Sequence, residues 1–169
     1  MATYQQLFNL CKKKFNISWL YGQSHANEKL FLTEKAKQYP TLCVGFLNII
    51  HPDRLHIIGP AEIEFFNQIS HDARIGFLQK LVDNKSLGLV VCLDLALPDD
   101  MIQPLIDTNL PVFGTSEPPE KVLTFVRHNI VKLLAPSCSM HGVFMDVFGM
   151  GILLSGQSGI GKSELGLEL

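Results

Sequence analysis

The sequence predicts an α/β protein in two parts. A small domain built on a parallel sheet spans residues 1–134, and a second unit begins over 135–169. Three observations carry this. Strand and helix signals alternate from about residue 87 to residue 134, as parallel sheets require. Leu87-Gly88-Leu89-Val90-Val91-Cys92-Leu93 is a near-continuous apolar run, expected of a strand covered on both faces. Finally, Gly156-Gln157-Ser158-Gly159-Ile160-Gly161-Lys162-Ser163 stands between an apolar strand candidate and a helix candidate.

The elements follow in order. A helix is expected from about Tyr4 to Lys14, with Leu7, Leu10 and Phe15 near one face. Ile17–Tyr21 reads as a short strand, and a polar loop with His25, Asn27 and Glu28 follows. Leu42–Ile50 and Arg54–Ile58 are apolar enough for strands. Pro60 suits the first turn of a helix, which would carry Ile63, Phe66 and Ile69 inward. Ser70 can cap the next helix, running to about Asp83. After the apolar strand, Asp99–Asn109 is helical, with Met101, Leu105 and Ile106 as its stripe. Pro111–Gly114 is a short strand. A long helix spans Pro119–Leu134, with Val122, Phe125, Val126, Ile130 and Leu133 at burial spacing. Ala135-Pro136-Ser137-Cys138-Ser139 breaks it and marks the domain boundary. Beyond, His141–Phe148 and Met150–Leu154 are strand candidates, and Gly149 suits a turn or bulge between them.

Composition narrows the function classes. The 169 residues hold one ordinary domain, or one small domain and part of another. The formal charge of −2 gives no reason to expect nucleic acid or an acidic membrane surface. The basic run Lys12-Lys13-Lys14 complements the end of a helix dipole. Cys11, Cys43, Cys92 and Cys138 form no C-x-x-C pair, which argues against zinc, and Cys92 is expected as a buried, reduced thiol. His25, His51, His56, His71 and His128 show no metal-ligand spacing. Residues 1–16 are polar and lysine-bearing, unlike a signal peptide. The most apolar stretch, Leu87–Leu97, is too short to span a bilayer and contains Asp94. A reducing, cytoplasmic setting is expected.

Residues 156–163 match the phosphate-binding loop pattern G-x-x-x-x-G-K-[ST] without substitution. At ordinary residue usage a chain of this length matches by chance on the order of once in a hundred or less. Each fixed position has a physical task. Gly156, Gly159 and Gly161 permit backbone conformations closed to other residues and let the main chain approach a phosphate. Successive N–H groups then face one concavity, and a helix starting near Gly161 adds its positive end. Lys162 brings a full charge to the β- and γ-phosphates. The Ser163 hydroxyl is a hard ligand suited to Mg²⁺. Glu164 and Glu168 read as a solvated face of the new helix. The loop names a ligand class and leaves the reaction open among kinases, ATPases and GTPases.

Upstream residues lengthen the match. His141-Gly142-Val143, Asp146, Gly149, Gly151, the loop with Glu164, and Leu167-Glu168-Leu169 resemble the start of the kinase domain of the HPr kinase/phosphorylase family. The N-terminal part resembles that family's α/β domain, which is similar to a domain of cell-wall ligases. From His141 onward the resemblance lies in motifs. Before that it is architectural.

The resemblance implies a bacterial, cytoplasmic, bifunctional enzyme of phosphotransferase-system and carbohydrate regulation. It would phosphorylate a regulatory serine of HPr with ATP or pyrophosphate and Mg²⁺. It would remove that phosphate by attack of inorganic phosphate, releasing pyrophosphate, and would assemble as a homohexamer. His141 then corresponds to the family's active-site histidine, and Lys162 joins it as a catalytic position. Gly156 to Ser163 bind the donor phosphates, and Ser163 meets the metal. From its residue type alone, His141 reads first as a satisfied structural histidine at a strand start, and Asp146 as support for the strand. The family's catalytic aspartate falls beyond Leu169, so the chain is expected to be part of a longer protein, inactive by itself. Two other readings stay open. One is a different phosphate-loop enzyme, such as a small-molecule kinase or a carboxykinase-like protein. The other is a non-enzymatic assembly module over residues 1–134.

Overall fold

The computed structural model describes residues 2–30, 32–47, 54–135 and 140–168. His51, Cys138 and the end of the strand expected over 42–50 lie outside them. The chain divides into two compact units, Met1–Ala135 and Pro136–Leu169.

In the first unit, α1 (Tyr4–Lys12) starts from a reciprocal cap. The Gln6 backbone N–H donates to Thr3 Oγ1 at 3.3 Å, and the Thr3 N–H donates to Gln6 Oε1 at 3.0 Å. The helix buries Leu7, Phe8 and Cys11. Leu10, expected inward, is only half-buried. The inward stripe therefore runs through positions 4 and 3 apart, 7–11 and 8–11, instead of 7–10.

The sheet combines β1 (Ile17–Tyr21), β2 (Val44–Phe46), β3 (Leu55–Ile58), β4 (Gly88–Val91) and β5 (Val112–Thr115) in the order β1-β5-β4-β3-β2. Strands β2 to β5 are parallel, and β1 joins β5 antiparallel as an edge. The mostly parallel sheet expected from the alternating pattern is present. Its side chains alternate between two cores. Leu55, Ile57, Leu87, Val90 and Phe113 pack with Leu7, Phe8 and the buried stripe Val122, Val126 and Ile130 of α6 (Pro119–Leu134). Ile58, Leu89, Val91 and Val112 face the other layer, meeting Phe66, Leu78, Leu81, Met101 and Leu105.

That second layer consists of α3 (Pro60–Gln68), α4 (His71–Asp83) and α5 (Asp99–Thr108). Pro60 occupies the first turn of α3 and Ser70 caps α4, accepting from the Ala73 N–H at 3.4 Å. Ile69, expected inward, ends α3 and packs partly buried against this core. Arg74 ties the layer together. Its Nη1 donates to the carbonyls of Phe66 and Ile69 at 2.7 and 2.8 Å, and its Nη2 to Asp100 Oδ2 at 2.6 Å. A short helix, α2 (Glu34–Gln38), lay hidden in the sequence because EKAKQ is too short and polar to show periodicity.

The second unit is a β-hairpin, β6 (Gly142–Val147) and β7 (Met150–Ser155), followed by α7 (Lys162–Glu168). Val147 pairs with Met150, leaving Phe148 and Gly149 as a two-residue turn with φ of 51° and 80°. Positive φ at both positions matches the right-handed twist of the strands. Asp146 Oδ1 accepts from the Gly149 N–H at 2.8 Å and holds the turn closed. Asp146, expected to support the strand, thus supports the turn that follows it.

Candidate functional site: a glycine loop between strand and helix

Residues 156–161 connect β7 to α7. Gly159 and Gly161 have φ of 83° and 87°, in the left-handed region that residues with a Cβ avoid. Gly156 does not, which corrects the expectation that all three glycines serve by conformation. A Cβ there would lie 3.4 Å from Ile160 Cγ2 and 3.9 Å from Lys162 Cδ, ordinary contact distances, so neither conformation nor space requires glycine at 156 in this structure.

Lys162 opens α7 and folds back over that loop. Its Nζ donates to the Gly156 carbonyl at 3.0 Å and the Gln157 carbonyl at 2.6 Å. The ammonium is thereby poised beside the concavity with one N–H still to give. A phosphate carries its own charge where these carbonyls carry only a dipole, so an entering anion competes with them for the ammonium. Helix α7 seats closely on β6. A Cβ on Gly166 would come within 2.5 Å of Met145 Cε, so only glycine fits without displacing that side chain.

A cavity of about 380 Å³ lies at the loop, lined by His141, Val143, Ser158, Gly159, Lys162 and Ser163, among others. The structure thus brings His141, from just before β6, to the same space as the loop. Gly161 and Glu164 also line it, whereas Gly156, Gln157 and Ile160 do not. Gly156 and Gln157 act through the Lys162 contacts, and Ile160 is exposed. Glu164 was read from sequence as a solvated helix face. It is exposed, as that reading expects, and also stands at the rim of the cavity.

The phosphate fits this arrangement: glycines with left-handed backbone, a lysine and a helix start surround one space. For a metal the residues present offer less. Among the described residues no group of three or more His, Cys, Asp or Glu side chains gathers to hold an ion. Ser163 supplies one hydroxyl, which suits Mg²⁺ only as a shared ligand beside phosphate oxygens and water.

Strand, glycine loop and helix in this order, ending in Gly-Lys-Ser, define the architecture of phosphate-loop proteins. Comparison with known families makes the assignment narrower. Residues 4–130 match the model of the HPr Serine kinase N terminus, and residues 132–169 match the HPr Serine kinase C-terminal domain. The chain belongs to the HPr serine kinase family. It is 35% identical over 167 residues to an HPr kinase/phosphorylase of Paraburkholderia phymatum, covering 98% of this chain and 52% of that protein. It is 28% identical over 167 residues to an HPr kinase/phosphorylase of Xylella fastidiosa (strain M12), covering 99% of this chain and 52% of that protein. The chain spans about half the length of the curated relatives it matches.

Proposed function

We propose that the protein to which this chain belongs is a cytoplasmic HPr serine kinase/phosphorylase. In the forward direction the HPr serine oxygen bonds to the terminal phosphorus of ATP or pyrophosphate, and the donor's terminal P–O bond breaks. In reverse, inorganic phosphate takes the phosphoryl group from phosphoserine, giving pyrophosphate and free serine. The reading rests on one observation above all: His141, Lys162 and Ser163 line a single cavity at the loop.

The residues divide the work by chemistry. Ser158, Gly159 and Gly161 form the wall that accepts the donor phosphates, and Gly156 and Gln157 act through the carbonyls that hold Lys162. Lys162 exchanges its loop carbonyls for phosphate oxygens. His141 faces the same cavity and can hold or move a proton next to the transferring group. Ser163 would offer its hydroxyl to Mg²⁺, which would supply charge neutralisation to the phosphates. Together these groups position and neutralise, the two effects that dominate phosphoryl transfer. Membership of the family supports HPr as substrate and a homohexameric assembly. Among the described residues no helix is long and apolar enough to cross a membrane.

The test uses the protein at the length of its relatives. Mixed with HPr, ATP and Mg²⁺ it should yield phosphoserine, and added inorganic phosphate should release it as pyrophosphate. Neither product forming would refute the proposal. Lys162→Ala should lower ATP and pyrophosphate use together, by a factor of a hundred or more at roughly 1.4 kcal/mol per tenfold, because both donors need the same cradle. Unimpaired pyrophosphate use in that variant would separate the two donor sites.

A further inference from the structure

The first unit carries two arginines that line one cavity and make no ion pair among the described residues. A space of about 370 Å³ opens beside the edge strand β2, lined by Thr41, Gly45, Phe46, Arg54 and Arg127 among others. Arg54 stands just before β3, and Arg127 lies 73 positions later on α6. Both are oriented by main-chain carbonyls of the β2 segment. Arg54 Nε donates to the Leu42 carbonyl at 3.2 Å, and Arg127 Nη2 donates to the Val44 carbonyl at 3.4 Å.

The ion pairs among the described residues involve neither arginine. Each guanidinium has five N–H donors, and these carbonyl bonds occupy one apiece. Both side chains line the cavity. Partial burial, and then the positive charge of Arg127, push the Arg54 guanidinium below its ordinary value. Two like charges are therefore held together at an electrostatic cost that an anion between them would relieve. Gly45 keeps the approach open, since a Cβ there would come within 3.3 Å of Arg54 Nη1. The contrast with Arg74 is direct: that guanidinium is satisfied by Asp100 and two carbonyls.

We infer that the cavity beside β2 is a binding site for a phosphoryl dianion, either inorganic phosphate or a phosphate monoester, gripped by Arg54 and Arg127. Two guanidiniums match the charge and the several oxygens of a phosphoryl group better than the single charge of a carboxylate. The volume falls in the range of about 300–1,000 Å³ typical of small-molecule sites, which leaves room for an organic body beside Phe46. This site is separate from the glycine loop and does not depend on the function proposed for it.

The chain has three arginines, Arg54, Arg74 and Arg127, so their side-chain Nε–H resonances form an internally controlled probe. The 169-residue chain with Lys162→Ala, which disables the loop, is titrated with inorganic phosphate and, separately, glycerol 3-phosphate at constant ionic strength. Saturable shifts of Arg54 and Arg127, with Arg74 still, are expected. Tighter binding of glycerol 3-phosphate would identify the monoester as the ligand source, and equal or weaker binding would identify free phosphate. Arg127→Gln should weaken binding at least tenfold. The proposal is overturned if Arg54 and Arg127 move no more than Arg74, or if chloride produces the same shifts. Undiminished binding by Arg127→Gln with an unchanged unfolding midpoint also overturns it. Should that variant fail to fold, the titration of the Lys162→Ala chain alone, read against Arg74, decides the matter.

Discussion

The two units treat their apolar residues in opposite ways. In the first, every residue of β3 and β4 is buried, and Phe113 of β5 is 1% exposed beneath Phe8 and Trp19. In the second, none of the described residues is buried, and Phe144 and Phe148 are 72% and 98% exposed. A five-stranded sheet with helices on both faces supplies its own interior. A two-stranded hairpin with one short helix is marginal by itself in water. Stability is thus concentrated in the unit whose pockets hold no loop motif, while the phosphate loop sits on the weaker scaffold. In relatives about twice as long, the apolar positions of the hairpin have further chain available to cover them.

Core truncation probes this contrast most strongly. Phe113→Ala should cost about 3–5 kcal/mol, whereas Phe144→Ala should stay within about 0.5 kcal/mol, both read from urea unfolding of the 169-residue chain. Comparable losses would mean that Phe144 is covered in solution. The thiols come next. Burial pushes Cys11 up to about 12, and burial followed by Glu120 and Glu62 pushes Cys92 to about 12. Iodoacetamide at pH 8 should label both about a thousandfold more slowly in the folded chain than in urea, given a free thiol near 8.5. Because the folded values lie above the unfolded ones, stability is full below about pH 8.5 and declines as pH climbs toward 12.

Smaller effects sharpen the picture within the first unit. Ser70→Ala removes the cap of α4 and should lower stability by about 1 kcal/mol, measured by the same unfolding curves. Hydrogen bonds from Arg74 and then His71 hold the Asp100 carboxyl below the usual carboxylate range. Its stabilisation is present above the unfolded value near 4 and fades as pH falls through the lower folded value. Asp100→Asn should therefore lower the melting temperature at pH 7 and converge on the unsubstituted chain below pH 3. A difference that persists in acid would show that packing, not charge, carries the effect.

Much of the fold could be read locally. Pro60 and Ser70 announce helix starts by their own chemistry, and Pro119–Leu134 shows its buried stripe through 3.6-residue spacing. The run around Val90 reads as a doubly covered strand because both its faces are apolar. The glycine loop and its flanks were equally legible, since strand, loop and helix are contiguous. Other features were not. Leu10 and Phe8 exchange roles because the exact face α1 turns inward depends on the partner it meets. Glu164 reaches the cavity through a turn whose path depends on left-handed glycines.

What the sequence determined by itself acts over a few residues: most element types, the Ser70 cap, the turn at Gly149 and the Gly-Lys-Ser loop. Tertiary structure alone decided that β1 closes the sheet antiparallel against β5, that His71 and Arg74 meet Asp100, and that Arg54 and Arg127 share a cavity. The physical reason is range. Propensity, capping and periodicity are properties of neighbours along the chain, whereas these contacts join residues dozens of positions apart once the sheet order brings their elements together.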